Sequence, residues 1–288
     1  MKKLIILLLF PLFSWAQSGI LKESLSVKSQ ILAKEVKYSI YLPSDYESSN
    51  RSYPVLYLLH GYGDDETGWT QFGSMQHIAD ETINSGKAPQ MIIVMPDASA
   101  TWYLNSFDGK VRYEDFLVKE FIPQIESTYR IRSKKEFRAV AGLSMGGFGT
   151  LLLATKHPEM FSAAAPLSAS VSTDEEWTKM EDQMWNTRYN TLYGPNLKGK
   201  DRLNEHYNNN SILKIVEKGN LKDLKSVRYY IDCGDDDHLI KGNMALHAAM
   251  IDKGVPHEFR VRDGGHTWIY WRTALPEVLK FVGESFHR

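Results

Sequence analysis

Hydrophobic residues occur in short runs that alternate with longer amphipathic segments along most of the chain. Short apolar runs bounded by polar or glycine-rich turns are typical of strands that are covered on both faces, as in a parallel sheet. The first two runs have the spacing of a β-hairpin. The pattern predicts strands at residues 25–31, 36–42, 54–59, 91–95, 137–141, 161–168, 227–231 and 257–262.

The segments between these strands have helical periodicity. Residues 113–129 carry Leu117, Phe121 and Ile125 at intervals of four, and Pro123 predicts a kink. Further helices are predicted at residues 150–156, 243–253 and 275–281. Alternating strands and helices predict an α/β fold, with a mainly parallel central sheet and helices on both faces.

Residues 172–220 interrupt this alternation. The segment is polar, rich in Asn, Trp and Tyr, and has no clear strand pattern. We interpret it as a lid-like insertion after the sixth strand, over the carboxyl edge of the sheet. It therefore belongs to one domain spanning residues 17–288 and does not form a second domain.

The N-terminal residues have the pattern of a secretory signal peptide. Lys2 and Lys3 precede an apolar run at residues 4–13, and the small residues Ser14 and Ala16 follow it. A membrane-spanning helix needs about 20 apolar residues, which this run does not reach. The sequence predicts a signal peptide at residues 1–16, cleavage near Ala16, and an exported protein without a membrane anchor.

Composition excludes several classes of protein. The chain has 34 Lys and Arg against 35 Asp and Glu, a formal charge of -1. This balance argues against a nucleic-acid partner, which would need a basic surface. The single cysteine, Cys233, excludes an intramolecular disulfide and a cysteine-rich zinc site.

The clearest chemical motif is Gly142-Leu143-Ser144-Met145-Gly146, which lies between a predicted strand and a predicted helix. A G-x-S-x-G sequence in this setting is typical of a nucleophile elbow, in which a sharp turn exposes the serine hydroxyl. The alternative is an ordinary turn with an uninvolved serine, and the flanking strand and helix argue against it. The motif predicts that Ser144 is a nucleophile.

A serine nucleophile needs a base, and the base needs an acid that orients it. In α/β-hydrolases the order along the chain is Ser, Asp or Glu, then His, at the ends of later strands. His266 follows the last predicted strand in a glycine-rich loop, and is the predicted base. Three acids follow the preceding strand, and spacing alone does not choose between Asp235, Asp236 and Asp237.

The same acids, with His238, allow a second interpretation. Carboxylates and imidazole also bind divalent cations, so the run Asp-Asp-Asp-His is an alternative metal site. Consecutive residues rarely converge on one ion, and no further His/Asp cluster stands out by spacing. The sequence therefore favours the orienting acid over the metal.

Acyl transfer also requires an oxyanion hole. One predicted donor is the backbone N–H of Met145, at the start of the helix after the elbow. The other is the backbone N–H of Tyr62, in the loop His60-Gly61-Tyr62-Gly63 that follows the third predicted strand.

Five stretches together resemble the esterase D / feruloyl esterase family of α/β-hydrolases. The family includes feruloyl esterases, acetyl xylan esterases, S-formylglutathione hydrolases and mycolyltransferases. The resemblance implies the α/β-hydrolase fold, Asp237 as the catalytic acid, and catalysis without a metal or organic cofactor. The stretches are Leu58-Leu59-His60-Gly61, Tyr113-Glu114-Asp115-Phe116, Ala141-Gly142-Leu143-Ser144-Met145-Gly146-Gly147, Cys233-Gly234-Asp235-Asp236-Asp237 and Gly265-His266-Thr267-Trp268.

Aromatic residues near the predicted strand ends suggest how substrate is held. Trp102, Tyr103 and Asn105 follow the fourth strand, and Trp268 follows His266, so these four are predicted to contact substrate. Aromatic residues of the insertion contact substrate or pack internally, and packing is expected for most of them: Trp177, Trp185, Tyr189 and Tyr193.

The sequence leads to one functional hypothesis and three alternatives. The hypothesis is a serine ester hydrolase that removes feruloyl or related hydroxycinnamoyl groups from plant cell-wall polysaccharide. The first alternative is an acetyl xylan esterase or general short-chain carboxylesterase. The second is an acyltransferase of the same fold, and the third is a non-catalytic binding module. The last is disfavoured because no member of the predicted triad is missing.

Overall fold

The computed structural model describes residues 18–286, and the predicted signal peptide at residues 1–16 lies outside this range. An eight-stranded sheet forms the centre, in the order β1-β2-β4-β3-β5-β6-β7-β8. Strands β1 and β2 are antiparallel to their neighbours, and all other pairs are parallel. The strands are β1 (Ile20–Ser29), β2 (Lys34–Leu42), β3 (Val55–Leu59), β4 (Ile92–Pro96), β5 (Arg138–Leu143), β6 (Ala163–Leu167), β7 (Arg228–Gly234) and β8 (Glu258–Arg262).

Helices cover both faces of this sheet, and the fold is that of an α/β-hydrolase. Each strand lies at a position where the hydrophobic pattern predicts one. The helices are α1 (Gly68–Gln71), α2 (Met75–Asn84), α3 (Tyr113–Phe116), α4 (Ile122–Thr128), α5 (Met145–Lys156), α6 (Asp174–Lys179), α7 (Asp182–Arg188), α8 (Asn190–Tyr193), α9 (Glu205–Asn210), α10 (Ile212–Lys218), α11 (Leu221–Leu224), α12 (Ile240–Lys253) and α13 (Trp268–Ser285).

The helix predicted at residues 113–129 is present but is not uniformly α-helical. A π-helical turn, Leu117–Phe121, joins α3 to α4 directly before Pro123. Proline has no backbone N–H and its ring displaces the carbonyl four residues earlier, so the preceding turn widens. The predicted kink therefore takes the form of a π-bulge.

The segment between β6 and β7 folds into the short helices α6 to α11. Its centre is Trp177, whose ring lies 4.7 Å from that of Tyr189 and 5.1 Å from those of Tyr193 and Tyr207. Trp185 is also buried against this group. Trp177, Trp185 and Tyr193 thus contribute to the packing of the insertion, as expected for most of its aromatic residues.

The carboxyl ends of β3, β5, β7 and β8 lie along one edge of the sheet, because these strands are parallel. Loops that leave this edge carry the residues described next. No helix within residues 18–286 has the length and apolar character needed to cross a membrane.

Candidate active site

Ser144 lies in a sharp turn between β5 and α5. Its backbone is in the left-handed region, with φ 56° and ψ -115°, a conformation that costs free energy for a residue with a side chain. The turn requires glycine on both sides: a Cβ at Gly142 would lie 2.6 Å from the Gly146 carbonyl oxygen, and one at Gly146 would lie 2.4 Å from the Leu59 oxygen. The sharp turn and the close packing around it place Ser144 at the carboxyl edge of the sheet, where it is partly exposed.

A continuous chain of hydrogen bonds joins the three predicted triad residues. The Ser144 Oγ lies 2.9 Å from His266 Nε2, and His266 Nδ1 lies 2.8 Å from Asp237 Oδ2. His266 is partly exposed and the Asp237 side chain is fully buried. With the Nδ1 proton directed to the carboxylate, Nε2 is free to accept the serine proton.

Asp237 differs from its two acidic neighbours in burial and in contacts. Burial alone would raise the pKa of the Asp237 carboxyl, but hydrogen bonds from His266 and from the backbone N–H of Leu239 lower that pKa below its ordinary value. Asp235 and Asp236 are exposed, and Asp235 Oδ1 accepts a hydrogen bond from the Gly264 N–H. The structure therefore brings only Asp237 of the three to His266.

Of the two predicted oxyanion donors, Met145 directly follows Ser144 and Tyr62 belongs to a loop that passes near it. Met145 is the first residue of α5, so its backbone N–H has no acceptor within the helix. The loop containing Tyr62 passes close to the elbow, since a Cβ placed on Gly61 would lie 3.6 Å from the Ser144 Cβ. This arrangement can direct two backbone N–H groups at an oxygen next to Ser144.

His60 and Tyr103 hold the loop that carries Tyr62. The His60 ring accepts the Ala98 N–H at Nε2 and donates from Nδ1 to the Gly61 carbonyl, both at 2.8 Å. Burial lowers the pKa of His60, which favours this neutral form. The Tyr103 hydroxyl donates to the His60 carbonyl at 3.0 Å. The sequence placed His60 in the motif but gave no sign of this supporting role.

One of the predicted substrate contacts, Tyr103, is corrected by these observations. Tyr103 is fully buried and its hydroxyl is already bonded to the oxyanion loop, so the ring has no surface to offer a substrate. The Asn105 side-chain oxygen accepts the Asp115 N–H, and its backbone pairs with Arg112. Asn105 is partly exposed, and its contact with substrate stays a prediction.

We expect Tyr103→Phe to lower the free energy of unfolding by about 1 kcal/mol, because one buried hydrogen bond is lost. The KM for a small ester should not change, because the ring does not contact substrate. Chemical denaturation and steady-state kinetics of the same preparation check both values. A large rise in KM at unchanged stability would restore Tyr103 as a substrate contact.

Trp102 and Trp268 differ in their burial and in their neighbours. Trp102 is buried between the oxyanion loop and the insertion, with its ring 6.3 Å from that of Tyr62 and 4.9 Å from that of Tyr189. Trp268 is partly exposed and lies 5.2 Å from the ring of Trp271, which contacts His266 edge-on. Trp102 is 4% exposed and so offers a substrate little surface, whereas part of the Trp268 side chain is accessible.

Groups that could hold a cation are also present at this edge. Ligand atoms of Asp237, His238 and His266 lie within 4.8 Å of one another, as do those of the exposed group Asp235, Asp236 and Asp263. An ion between Asp237 and His266 would replace the hydrogen bond that joins them. The triad geometry and a metal at the first group are therefore mutually exclusive.

Asp64 lies next to the oxyanion loop, and burial, with a smaller contribution from Asp65, raises its pKa to about 6. The unfolded chain releases this proton at a pH of about 4, so stability should fall as pH rises from about 4 to about 6. Asp64→Asn removes this loss of stability. We expect the free energy of unfolding of the variant to exceed that of the wild type by about 1 kcal/mol at pH ~8, after allowance for solvent screening, but not at pH ~4.

Urea unfolding of both proteins at the two pH values tests this expectation, because the difference between the proteins cancels the other titrating groups. An equal difference at both pH values would contradict the raised pKa of Asp64.

Comparisons with known proteins agree with this fold. An esterase of Mycobacterium tuberculosis is 31% identical over 248 residues, covering 80% of this chain and 52% of that protein. The endo-1,4-beta-xylanase/feruloyl esterase of Xylanibacter ruminicola is 29% identical over 262 residues, covering 87% of this chain and 30% of that protein. The chain thus spans about half, or less, of the length of these curated relatives.

A solved structure of a ferulic acid esterase is also similar. It is 36% identical, with a TM-score of 0.80, and the alignment covers 93% of this chain and 99% of that one. The sequence model of the Esterase family matches residues 29–282, which is most of the chain. The chain therefore belongs to the Esterase family of α/β-hydrolases.

Proposed function

We propose that the protein is a serine carboxylic-ester hydrolase that works through an acyl-enzyme on Ser144. The observation that carries this proposal is the hydrogen-bonded chain from Ser144 through His266 to Asp237, with distances of 2.9 and 2.8 Å. The Met145 N–H next to the serine, and the nearby loop that carries Tyr62, support it.

The proposed reaction has two halves. Ser144 Oγ attacks the ester carbonyl carbon while His266 Nε2 takes its proton, and the carbonyl oxygen gains negative charge between the N–H groups of Tyr62 and Met145. The carbon–oxygen bond then breaks, and His266 gives the proton to the leaving alcohol. Water repeats the sequence on the acyl-enzyme, releasing the acid and restoring Ser144. Asp237 keeps His266 oriented and stabilises its charged form.

For the substrate, we propose feruloyl or related hydroxycinnamoyl esters of plant cell-wall polysaccharide. The support comes from the names of two similar proteins, a feruloyl esterase and a ferulic acid esterase. Trp268, which is partly exposed and lies two residues after His266, offers an aromatic surface of the kind that a ring can stack on.

A short acyl group is the second candidate, and the cavity on the insertion side of Ser144 favours it. Trp102, Phe148, Ser170 and Tyr189 line a space of about 20 Å³, which holds roughly one water molecule. The backbone N–H groups of Phe148 and Ser170 both donate to the Ser144 carbonyl, so two residues that line this space contact the backbone of the proposed nucleophile. A space of this size suits a short acyl group better than a hydroxycinnamoyl ring.

The acyltransferase alternative uses the same acyl-enzyme with an alcohol in place of water, and product analysis with a sugar acceptor separates the two reactions.

Export is part of the proposal and rests on the pattern of residues 1–16.

A hydrolysis screen tests the substrate class. Purified protein is assayed with methyl ferulate, acetylated xylan and p-nitrophenyl esters of increasing chain length. The proposal expects the highest kcat/KM with the ferulate ester. A preference for acetylated xylan or p-nitrophenyl acetate would favour the short acyl group, and absence of turnover on all of them would contradict the proposed hydrolase.

Chelators are expected to leave activity unchanged, because the proposed reaction needs no metal. Ester hydrolysis measured before and after EDTA treatment and desalting checks this expectation. A loss of turnover that added divalent metal restores would instead support the site formed by Asp237, His238 and His266.

A further inference from the structure

Ser168 lies directly after β6 and takes no part in the triad or the oxyanion hole. It is fully buried, and its backbone has a left-handed φ of 45°. Its N–H donates to the Asp232 carbonyl at 2.7 Å, which attaches the turn to β7. A polar side chain at such a position must find hydrogen-bond partners inside the protein.

The Ser168 hydroxyl has three partners. The indole Nε1–H of Trp271 lies 3.0 Å from Ser168 Oγ, and the Asp237 carboxylate and the Cys233 thiol are also hydrogen-bonded to it. Trp271 belongs to α13 and is 5% exposed. The hydroxyl therefore lies between the helix that follows His266 and the acid that orients His266.

The donor in each of these contacts follows from the chemistry of the groups. An indole N–H can only donate, so Ser168 Oγ accepts from Trp271. Burial raises the pKa of the Cys233 thiol to about 12, so the thiol keeps its proton and can donate. The ionised Asp237 carboxylate has no proton to give. The single hydroxyl proton of Ser168 therefore points to Asp237.

We propose that Ser168 and Trp271 are positioning residues that hold the Asp237 carboxylate in the orientation needed by His266. The inference rests on the proposed triad. Asp237 receives hydrogen bonds from His266, from the Leu239 N–H and from Ser168, and three donors leave the carboxylate little freedom to rotate. Trp271 polarises the Ser168 hydroxyl and strengthens the bond that it donates.

Trp271 also contacts the base directly. Its ring lies 4.9 Å from that of His266 at an interplanar angle of 90°. The same side chain therefore fixes the imidazole by packing and the carboxylate through Ser168. This couples the acid and the base of the triad to one residue of α13.

Ser168→Ala tests the proposal. We expect kcat for a p-nitrophenyl ester to fall roughly tenfold, the usual effect of losing one hydrogen bond to a charged group, with little change in KM. The matched control is Ser285→Ala, which removes another buried serine hydroxyl, bonded to the Phe281 carbonyl on α13. It should change the midpoint of thermal unfolding only.

Trp271→Phe keeps an aromatic ring and removes the indole donor. Its effect on kcat should have the same direction and be smaller, and it should nearly vanish in the Ser168→Ala background, because Trp271 acts on Asp237 through Ser168. An unchanged kcat in Ser168→Ala, or full additivity of the two variants, would overturn the proposal.

Failure of the proposed function is distinguishable from failure of this inference. If Ser144→Ala keeps its activity, the triad itself is wrong. If Ser144→Ala is inactive and Ser168→Ala behaves like Ser285→Ala, only the positioning role is wrong.

Discussion

Ser144→Ala is expected to lower kcat for ester hydrolysis by about 10⁶-fold, the scale seen when a serine protease loses its nucleophile. The substitution removes the atom that forms the bond to the acyl group in the proposed reaction, and with it the hydrogen bond to His266 Nε2. KM should change little, because the oxyanion donors are backbone N–H groups. Steady-state kinetics with a p-nitrophenyl ester measure the effect.

The fold should survive this change, because only one partly exposed hydroxyl is removed and the backbone conformation of the turn stays the same. Ser162→Ala is a suitable control: Ser162 precedes β6 at the opposite end of the sheet, where its hydroxyl donates to the Arg138 carbonyl at 3.1 Å. That variant should keep full activity. Comparable activity in Ser144→Ala and Ser162→Ala would mean that the elbow serine is not the nucleophile.

Asp237→Asn has the second largest expected effect, a fall in kcat of about 10⁴-fold. An amide in place of the carboxylate can donate to His266 Nδ1, which places the imidazole proton on Nε2, where it can no longer accept the proton of Ser144. It also removes the negative charge that stabilises the charged form of His266. The variant should fold, since Asn has nearly the same shape as Asp.

The neighbouring acids provide the matched controls. In Asp235→Asn the amide oxygen can still accept the Gly264 N–H, and Asp236 is exposed, so both variants should keep most of the activity. Steady-state kinetics of the three variants side by side check the assignment. An inactive Asp235→Asn or Asp236→Asn beside an active Asp237→Asn would contradict the role given to Asp237.

The hydrophobic pattern predicts the strands well because the sheet is covered on both faces, so that each strand appears as a continuous apolar run. Helix boundaries are predicted less well. Helix α5 begins at Met145, five residues before its predicted start. The prediction begins too late because Gly146, Gly147 and Gly149 have low helix propensity. Helix α13 begins at Trp268 and contains Pro276, a residue that the periodicity treats as a boundary.

The candidate site follows from sequence wherever a motif fixes the backbone. Ser144, His266 and the loop of Tyr62 each follow a predicted strand, and parallel strands bring these ends to one edge. Tyr103 has the same kind of position, but Trp102 and Tyr103 both adopt left-handed backbone conformations, and the Tyr103 side chain is buried. A local sequence does not indicate such turns for residues other than glycine.

Ser168 illustrates a second limit of predicting the site from the sequence. Nothing in the residues around it distinguishes it from any other serine after a strand, because its partners Trp271 and Asp237 are far away in the sequence. Its role depends on three elements, β6, the loop after β7 and α13, that meet only in the folded protein.

The most direct test of the central claim is to locate the acyl or phosphonyl group on the protein. Incubation with a fluorophosphonate ester, followed by proteolysis and mass spectrometry, should give one adduct on the peptide that contains Ser144. Labelling should be lost in Ser144→Ala and strongly slowed in Asp237→Asn. An adduct at another serine, or hydrolysis that persists after complete labelling of Ser144, would contradict the account.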